Sequence, residues 1–266
     1  MTASFNPLLV LAITGTFTAL GVGQGMSGSL DASTADALSA QFIVNGFSTT
    51  LPAVAPVQGS APPSYDQRNS LLGYDKVQNI AHHQAPPPAL YAHLTGVWDH
   101  VMGTGMGVDS YGSESDTKIA TAALSLNLNP PPPTAAIVPL VPLQISATGV
   151  QASANYNVVV PRPAFVSGTA SFDDLTITGS LLGGQTLTYR GMPPANYTLF
   201  SNAELTITLN EQVIVATLVT CVINRDCTVT PGGIHVRAVH VALTKADIFG
   251  RIVSGDVFLG EAQAGN

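Results

Sequence analysis

Charge is the property that this sequence has least of. Only 9% of its 266 residues are charged, whereas an ordinary soluble domain has roughly 25%. No Lys or Arg precedes Arg68, and residues 119–161 contain no charged side chain. The formal net charge of −7 argues against nucleic acid as a partner, because nucleic acids attract basic surfaces. So little charge indicates a surface covered by a neighbouring copy, a sugar or a matrix; the alternative is a hydroxyl- and amide-rich β surface that water solvates.

Cysteine is also scarce, with Cys221 and Cys227 as the two examples. Two thiols at this spacing are too few for a structural zinc site. Residues 224–226 between them suit a turn, so the thiols could face each other across the end of a hairpin. We expect a disulfide, and with it an oxidising compartment; two free thiols are the alternative. Closing so short a loop would stabilise the hairpin by ~2 kcal/mol.

Motifs for catalysis are missing. There is no Gly-x-Ser-x-Gly elbow, no glycine-rich phosphate loop between a strand and a helix, and no zincin pattern. The adjacent acids Asp173 and Asp174 would diverge on a strand, which is wrong for a glycosidase pair. No repeat of 20–50 residues is evident, which disfavours a solenoid or propeller. We therefore expect that the chain is not an enzyme.

Strand patterns are what the sequence has in abundance. Residues 169–179, 204–212, 233–243 and 255–264 alternate apolar and polar side chains, rich in Val, Ile and Thr and bounded by Gly, Asn and Pro. Such alternation is typical of half-buried antiparallel strands. We predict an all-β fold, an antiparallel β-sandwich or jelly-roll-like single domain with long Pro- and Gly-rich loops.

The first half of the chain is less regular. Residues 30–41 are compatible with a helix, and residues 42–47 predict a strand that ends in the turn Asn45-Gly46. Residues 51–66 predict an extended loop, and residues 67–118, with four of the six histidines and the single Trp, predict an irregular insertion. The predicted organisation is an apolar N-terminal segment over residues 1–25 and a β-sandwich domain over residues 26–266.

Ordered short segments in the C-terminal half resemble a known family. These are 174–179 (Asp-Leu-Thr-Ile-Thr-Gly), the turn 193–197, the strand closing at 209–212, the strand 233–241 and the final strand 255–264. Over residues 119–264 the chain resembles the choice-of-anchor P family of exported bacterial proteins. The resemblance implies a secreted or surface-displayed β-rich protein without catalytic residues. Members of that family are attached by varying C-terminal anchors, whereas residues 264–266 carry no sorting motif. We therefore expect either an anchor elsewhere or attachment through assembly with other copies.

The N-terminal apolar segment has three readings. Residues 7–22 lack the basic start of a signal peptide and are interrupted by Thr and Gly, which makes them a poor membrane span. They could be an atypical export signal, an edge strand of their own domain, or a strand donated to another subunit. The side chains expected to form the donated strand are Leu8, Leu9, Val10, Leu11, Ile13, Phe17, Leu20 and Val22.

Histidines and acids in the irregular region are candidate metal ligands. Imidazole and carboxylate suit a transition metal, and the oxygen-rich stretch 109–116 would suit Ca²⁺. Local hydrogen bonding in a polar loop is the alternative, because the spacing matches no known motif. The candidate set is His82, His83, His93, His100, Asp109 and Asp116.

The sequence also carries expectations for residues outside this set. His235 and His240 lie five residues apart on one strand and should therefore point to opposite faces. Trp98 is expected in the core; if exposed, Trp98 and Tyr91 could stack on a sugar. Asn196 begins an N-glycosylation sequon.

Together these features predict a non-enzymatic extracellular structural protein, a subunit of a filament, tube, matrix or surface layer. Copies of the chain would assemble into a homopolymer by β-strand donation from the N-terminus, with contact to a cell surface or matrix. The alternative function is a cell-surface adhesin or binding module that holds sugar or metal through residues 82–116. The sequence requires no cofactor, although Ca²⁺ or a transition metal would fit that region.

Overall fold

The computed structural model describes residues 31–61, 63–81, 85–104, 110–131, 141–159, 164–221 and 227–265. The apolar segment 7–22, on which the strand-donation prediction depends, lies outside these residues. Among the described residues, no helix is long and apolar enough to cross a membrane.

Thirteen strands account for almost all of the described chain. Their bounds are β1 (Asp31–Val44), β2 (Phe47–Leu51), β3 (Val57–Ala61), β4 (Tyr65–Asn79), β5 (Pro88–Thr104), β6 (Ser110–Leu128), β7 (Leu143–Val159), β8 (Phe165–Thr178), β9 (Leu187–Gly191), β10 (Tyr197–Ser201), β11 (Leu205–Cys221), β12 (Cys227–Asp247) and β13 (Ile252–Gly265). A single 3₁₀ turn, Ser180–Leu182, separates β8 from β9.

The strands form two antiparallel sheets. One sheet has six strands in the order β4-β5-β6-β7-β8-β9, and these follow one another along the chain. The other has seven, in the order β10-β11-β12-β13-β1-β2, with β3 also paired to β1. The C-terminal strand β13 thus lies beside β1, so the two ends of the described chain are joined in one sheet. The prediction of an all-β, antiparallel fold is confirmed.

One apolar core is shared by the inner faces of the two sheets. Leu38 and Phe42 of β1, with Leu259 of β13, belong to the same buried cluster as Leu94 and Ile119 of the six-stranded sheet. Burial of such side chains is the main favourable term in folding, at about 1.5–3 kcal/mol for each large apolar group. The four C-terminal stretches that alternate in sequence lie in β8, β11, β12 and β13, as predicted.

The predicted turn Asn45-Gly46 is confirmed as a two-residue hairpin between β1 and β2. Val44 pairs with Phe47, and both turn residues have positive φ, 51° and 82°. Positive φ at both central positions is the geometry that matches the twist of a hairpin, and Asn-Gly adopts it readily.

The helix-compatible stretch 30–41 is instead part of β1, so that expectation is wrong. Strand β1 is held on both sides, by β13 on one edge and by β2 and β3 on the other. Cross-strand pairing and burial outweigh the modest helix preference of Ala and Leu. The loop predicted over 51–66 likewise contains β3 and the start of β4.

The irregular insertion predicted over 67–118 is also wrong, because the described residues of this region form most of β4, all of β5 and the first part of β6. The alternation of these strands is hard to see because it shifts by one residue at a kink. In β5 the kink is Gly96, between the paired residues Thr95 and Val97, with φ +58°. A Cβ at Gly96 would lie 2.7 Å from the Cβ of Ala120, so the close approach of β6 requires glycine.

Candidate functional site

An aromatic and charged cluster lies on the outer face of the six-stranded sheet, on β4, β5 and β6. Trp98 pairs with Lys118 across β5 and β6, and the Lys118 ammonium lies 4.8 Å from the centroid of the indole ring. The His100 ring is 5.3 Å from the same indole, centroid to centroid. Trp98 is half-buried under these neighbours and is absent from the apolar core, so the expectation of core burial is wrong. The kink at Gly96 sets this outcome, because it determines which β5 residues face outward.

His100 is the most enclosed polar group of this cluster. Its Nε2 lies 2.9 Å from the Asp66 carboxylate and its Nδ1 3.9 Å from the Asp116 carboxylate, and only 12% of its side chain is exposed. The hydrogen bond with His100 lowers the pKa of Asp66, although Asp66 itself is exposed. The imidazole therefore joins β4 to β6 across the central strand of the cluster.

The predicted metal set does not come together in the described residues. His93 bonds Asp75 at 2.5 Å, while His100 bonds Asp66, so the two imidazoles serve separate pairs. His82, His83 and Asp109 lie outside the described residues. Within the described part of the chain, no three His, Cys, Asp or Glu residues are grouped as a metal site would require. The expectation of a calcium-binding loop over 109–116 is wrong, because the chain from Ser110 onward is not a loop. It is the start of β6, which is hydrogen-bonded to β5 and β7.

A shallow groove of about 360 Å³ continues from this cluster along the outer face. Burial and the neighbouring Asp116 carboxylate raise the pKa of Glu114, which lies in the groove. The lining is amide, hydroxyl and thioether groups with one carboxylate, a set suited to hydrogen bonding with a polar ligand. Its main lining residues are Met102, Thr104, Tyr111, Glu114, Asn155 and Asn157.

A second polar constellation spans four strands of the seven-stranded sheet. Arg237 of β12 bonds Glu211 of β11 at 2.7 Å and Glu261 of β13 at 3.1 Å. Glu261 also bonds His235 at 3.0 Å and accepts a hydrogen bond from Ser39 of β1 at 2.5 Å. The carboxylates and the guanidinium are between 8% and 20% exposed, so solvent screens these ion pairs less than ordinary surface pairs.

His240 extends this network at its other end. Its Nδ1 lies 3.0 Å from Glu211 and its Nε2 2.8 Å from Asp256. Burial lowers the pKa of His240, but hydrogen bonds to Asp256 and Glu211 outweigh burial and raise it to about 9. Burial raises the pKa of Glu211, but His240 and Arg237 outweigh it and lower that pKa to about 2. The imidazole is therefore a cation at neutral pH, held between two carboxylates.

His235 and His240 thus join one network, and the prediction that they point to opposite faces is wrong. The reason is a shift in the alternation of β12, where the consecutive residues Ala238 and Val239 are both buried. The same shift crosses the neighbouring strands at Asn210 and Gly260, which have φ of 50° and 68°. A single extra residue in the alternation returns both imidazoles to the same face.

Two acids that lie close to this network, the buried Asp99 and the half-buried Asp36, have pKa values far above the ordinary range of a carboxyl. Asp99 of β5 is fully buried, and burial raises its pKa to about 7 in spite of a hydrogen bond from Thr117. Burial and the charges of Glu261 and Asp99 raise the pKa of Asp36 well above its usual range. One carboxylate oxygen of each, Oδ1 of Asp36 and Oδ2 of Asp99, is buried without a hydrogen-bond partner. Such groups carry a proton more easily than a charge.

The remaining predicted residues are placed as follows. The backbones of Cys221 and Cys227 pair directly across β11 and β12, a placement that suits the expected disulfide, which stays a prediction. Asn196 is exposed in a left-handed turn with φ 56°, and its Oδ1 accepts the Gln212 N–H at 2.7 Å. The sequon is accessible, and glycosylation stays a prediction.

The sequence reading missed the ion-pair network and the buried acids. A usable signal was present, because charged residues interrupt otherwise apolar strands at Glu211, Arg237 and Glu261. The adjacent small apolar residues Ala238 and Val239 mark the shift of alternation. The inward position of Asp99 carries no local signal, because it depends on the kink three residues earlier.

No family model matches this sequence, and no curated protein matches it. Among solved structures, the chain is similar to the crystal structure of Ail, the attachment invasion locus protein of Yersinia pestis, at 6% identity. The match covers 90% of this chain and 99% of the other, with a TM-score of 0.17. A match at this level indicates neither the architecture nor the function of the chain.

Proposed function

We propose that this chain is a non-enzymatic extracellular structural protein, a subunit of a filament, tube, matrix or surface layer. In this proposal the two sheets pack face to face as a β-sandwich, and copies assemble by β-strand addition. The resemblance to choice-of-anchor P proteins points the same way. The observation that carries the proposal is a long strand edge with no strand beside it in the described residues.

This edge belongs to β11. Strand β10 pairs with β11 only as far as Leu209, and the Gln212 N–H donates to Asn196 Oδ1 just beyond it. Residues 213–221 of β11 pair with β12 alone in the described part of the chain. Residues 227–232 of β12, which precede its pairing with β13 at Gly233, likewise lie beside β11 alone. Residues 213–221 and 227–232 therefore form a two-stranded arm. Such an arm is marginal by itself and gains stability from a further strand.

The proposed donor is the segment 7–22 of a neighbouring copy. It contains no charged residue, and neither does either strand of the acceptor arm, 213–221 or 227–232. Main-chain hydrogen bonds along the edge would provide affinity, and alternate apolar side chains would set the register. Pairing of two uncharged segments avoids the cost of burying a charge.

Electron microscopy with a strand-replacement variant tests this proposal. The full chain should form ordered fibres, tubes or sheets, and a chain with residues 7–22 replaced by a Gly/Ser segment of equal length should not. A free peptide of sequence 7–22 should bind the replaced chain, whereas a scrambled peptide, the matched control, should not. Assembly that persists after replacement would refute strand donation.

A binding module is the second candidate, favoured by the outward position of Trp98. We propose that this function would present the outer face of the six-stranded sheet to a neutral sugar, with the indole as a stacking surface beside the groove. Trp98→Ala should then abolish glycan binding while the far-ultraviolet spectrum is unchanged. Tyr91→Phe is the control, because the Tyr91 hydroxyl already donates to Leu128 O at 2.8 Å. Glycan binding that survives Trp98→Ala would rule out this face.

A further inference from the structure

The six-stranded sheet ends in a long open edge, β4. This strand has fifteen residues and pairs with β5 on one side, while no described strand pairs with its other side. Leu72, at its middle, is 95% exposed. Long regular edges are templates for pairing with another chain, and natural proteins usually shorten, cover or bend them. An exposed Leu at the centre of such an edge favours pairing with another chain, whereas a charged residue or a proline there would hinder it.

The faces of β4 restrict how it can pair. Before Leu72 the even-numbered residues face outward, as the Asp66–His100 bond of 2.9 Å indicates. After Leu72 the odd-numbered residues face outward, as the Asp75–His93 bond of 2.5 Å indicates. A second antiparallel β4 therefore keeps both faces matched only if an even-numbered residue before Leu72 opposes an odd-numbered residue after it.

Charge selects one register among those that match the faces. When Arg68 opposes Asp75 of the second copy, a two-fold axis makes the same ion pair twice, and the two Leu72 side chains lie beside the axis. A shift by two residues in one direction sets Asp66 against Asp75 of the second copy, which is repulsive. A shift in the other direction sets Arg68 against Val77 of the second copy, which leaves both charges without a partner. Opposite charges directly across strands stabilise a pair, and like charges destabilise it.

We propose that β4 is a homodimerisation edge, which pairs antiparallel with β4 of a second copy in the register that opposes Arg68 and Asp75. The two six-stranded sheets then become one continuous antiparallel sheet. The other contacts to β4 are made by side chains: the Tyr65 hydroxyl lies 2.7 Å from Ser33 Oγ of β1, and Asn69 Nδ2 donates to Pro56 O at 3.2 Å. The proposed β4–β4 pairing goes beyond the strand donation proposed above, because it uses the six-stranded sheet instead of the seven-stranded one.

Charge reversal and its rescue test the proposal by sedimentation velocity. Measurements are made on the full chain and on the chain with residues 7–22 replaced by the Gly/Ser segment. The replaced chain should sediment as a dimer, and Arg68→Glu and Asp75→Arg should each raise its dissociation constant by about tenfold or more. The double variant Arg68→Glu with Asp75→Arg should restore the dimer. Lys245→Glu is the control, an equal charge change at an exposed position on β12.

The outcomes separate this contact from strand donation. Dimers in the replaced chain that are lost and rescued as described support β4 pairing even if the full chain forms no fibres. A monomeric replaced chain at its highest soluble concentration overturns β4 pairing, whether or not the full chain assembles. Dimers that are indifferent to both reversals overturn the register and the edge. The variants change exposed side chains, so unchanged far-ultraviolet spectra will show that the fold is intact.

Discussion

The buried carboxyl of Asp99 should make the protein less stable as pH rises from 4 to 7. In the unfolded chain this group ionises with an ordinary pKa of 3.8, whereas in the folded chain burial raises its pKa to about 7. Between these values the unfolded state has lost its proton and the folded state keeps it, so rising pH favours unfolding. Each tenfold difference in proton affinity corresponds to 1.36 kcal/mol. The difference of about three in pKa therefore costs ~4 kcal/mol once the pH exceeds 7.

Asp99→Asn removes this ionisation and retains a group that accepts the Thr117 hydroxyl. The amide itself changes the free energy of unfolding by the same amount at every pH. The informative quantity is therefore how the difference in free energy of unfolding between variant and native chain changes with pH. We expect the free energy of unfolding of the variant, relative to the native chain, to rise by ~4 kcal/mol between pH 4 and pH 7. Urea titrations at a series of pH values, followed by far-ultraviolet circular dichroism, measure it.

An exposed acid of the same sheet is the matched control. Asp173 lies at the surface of β8, and Asp173→Asn should leave the pH dependence close to that of the native chain. If Asp99→Asn has the same pH slope as the native chain, then Asp99 is charged in the folded state at neutral pH, and the argument from burial fails. Thr117→Val provides the opposite perturbation, because it removes the hydrogen bond that lowers the pKa of Asp99. The loss of stability with rising pH should then continue to a higher pH than in the native chain.

Three further predictions concern the network and the kink. Arg237→Met should lower the free energy of unfolding by ~3 kcal/mol, because it removes the guanidinium that the part-buried carboxylates of Glu211 and Glu261 share. Arg190→Met, at a site 76% exposed, should lower it far less in the same urea titration. His240 should titrate by nuclear magnetic resonance with a pKa of about 9, and the stability it contributes, full below pH 6.5, should be lost as pH rises through 9; an ordinary imidazole pKa would contradict the bonds to its two carboxylates. Gly96→Ala should lower the free energy of unfolding by about 2–3 kcal/mol, since φ is +58° and the new Cβ would meet Ala120 at 2.7 Å. Gly73→Ala, where the nearest atom to a new Cβ is 3.9 Å away, should change stability little. Equal costs would refute the steric argument.

Local patterns accounted for part of the fold. The four alternating C-terminal stretches and the Asn45-Gly46 turn carry their structure in neighbouring residues, and the structure agrees with them. Residues 67–118 form strands although their sequence predicts an irregular region, because the alternation of apolar and polar residues shifts by one position at each kink. Gly96 looks like an interruption of a strand in sequence, although in the sheet it is a position where Ala120 of β6 leaves no room for a side chain.

The candidate sites show the same division. The members of the predicted metal set are close in sequence, but His93 bonds Asp75, directly opposite on β4, and His100 bonds Asp66, which is diagonally opposite on β4. No spacing within 82–116 can indicate these contacts. The network of Glu211, Arg237 and Glu261 assembles residues from three strands that pair at one register. Only that register places the guanidinium between two carboxylates.

The sequence by itself determined that this chain forms antiparallel strands, where its clearest turn lies, and that its surface has little charge. These properties follow from the side-chain period and from composition, which act over a few residues at a time. The tertiary structure decided which residues face inward after each kink, and hence that Trp98 lies outside the core, that Asp99 lies within it, and that His235 and His240 share one face. It also decided which strands end each sheet, because an edge is defined by the absence of a neighbour and a neighbour is chosen by the whole chain.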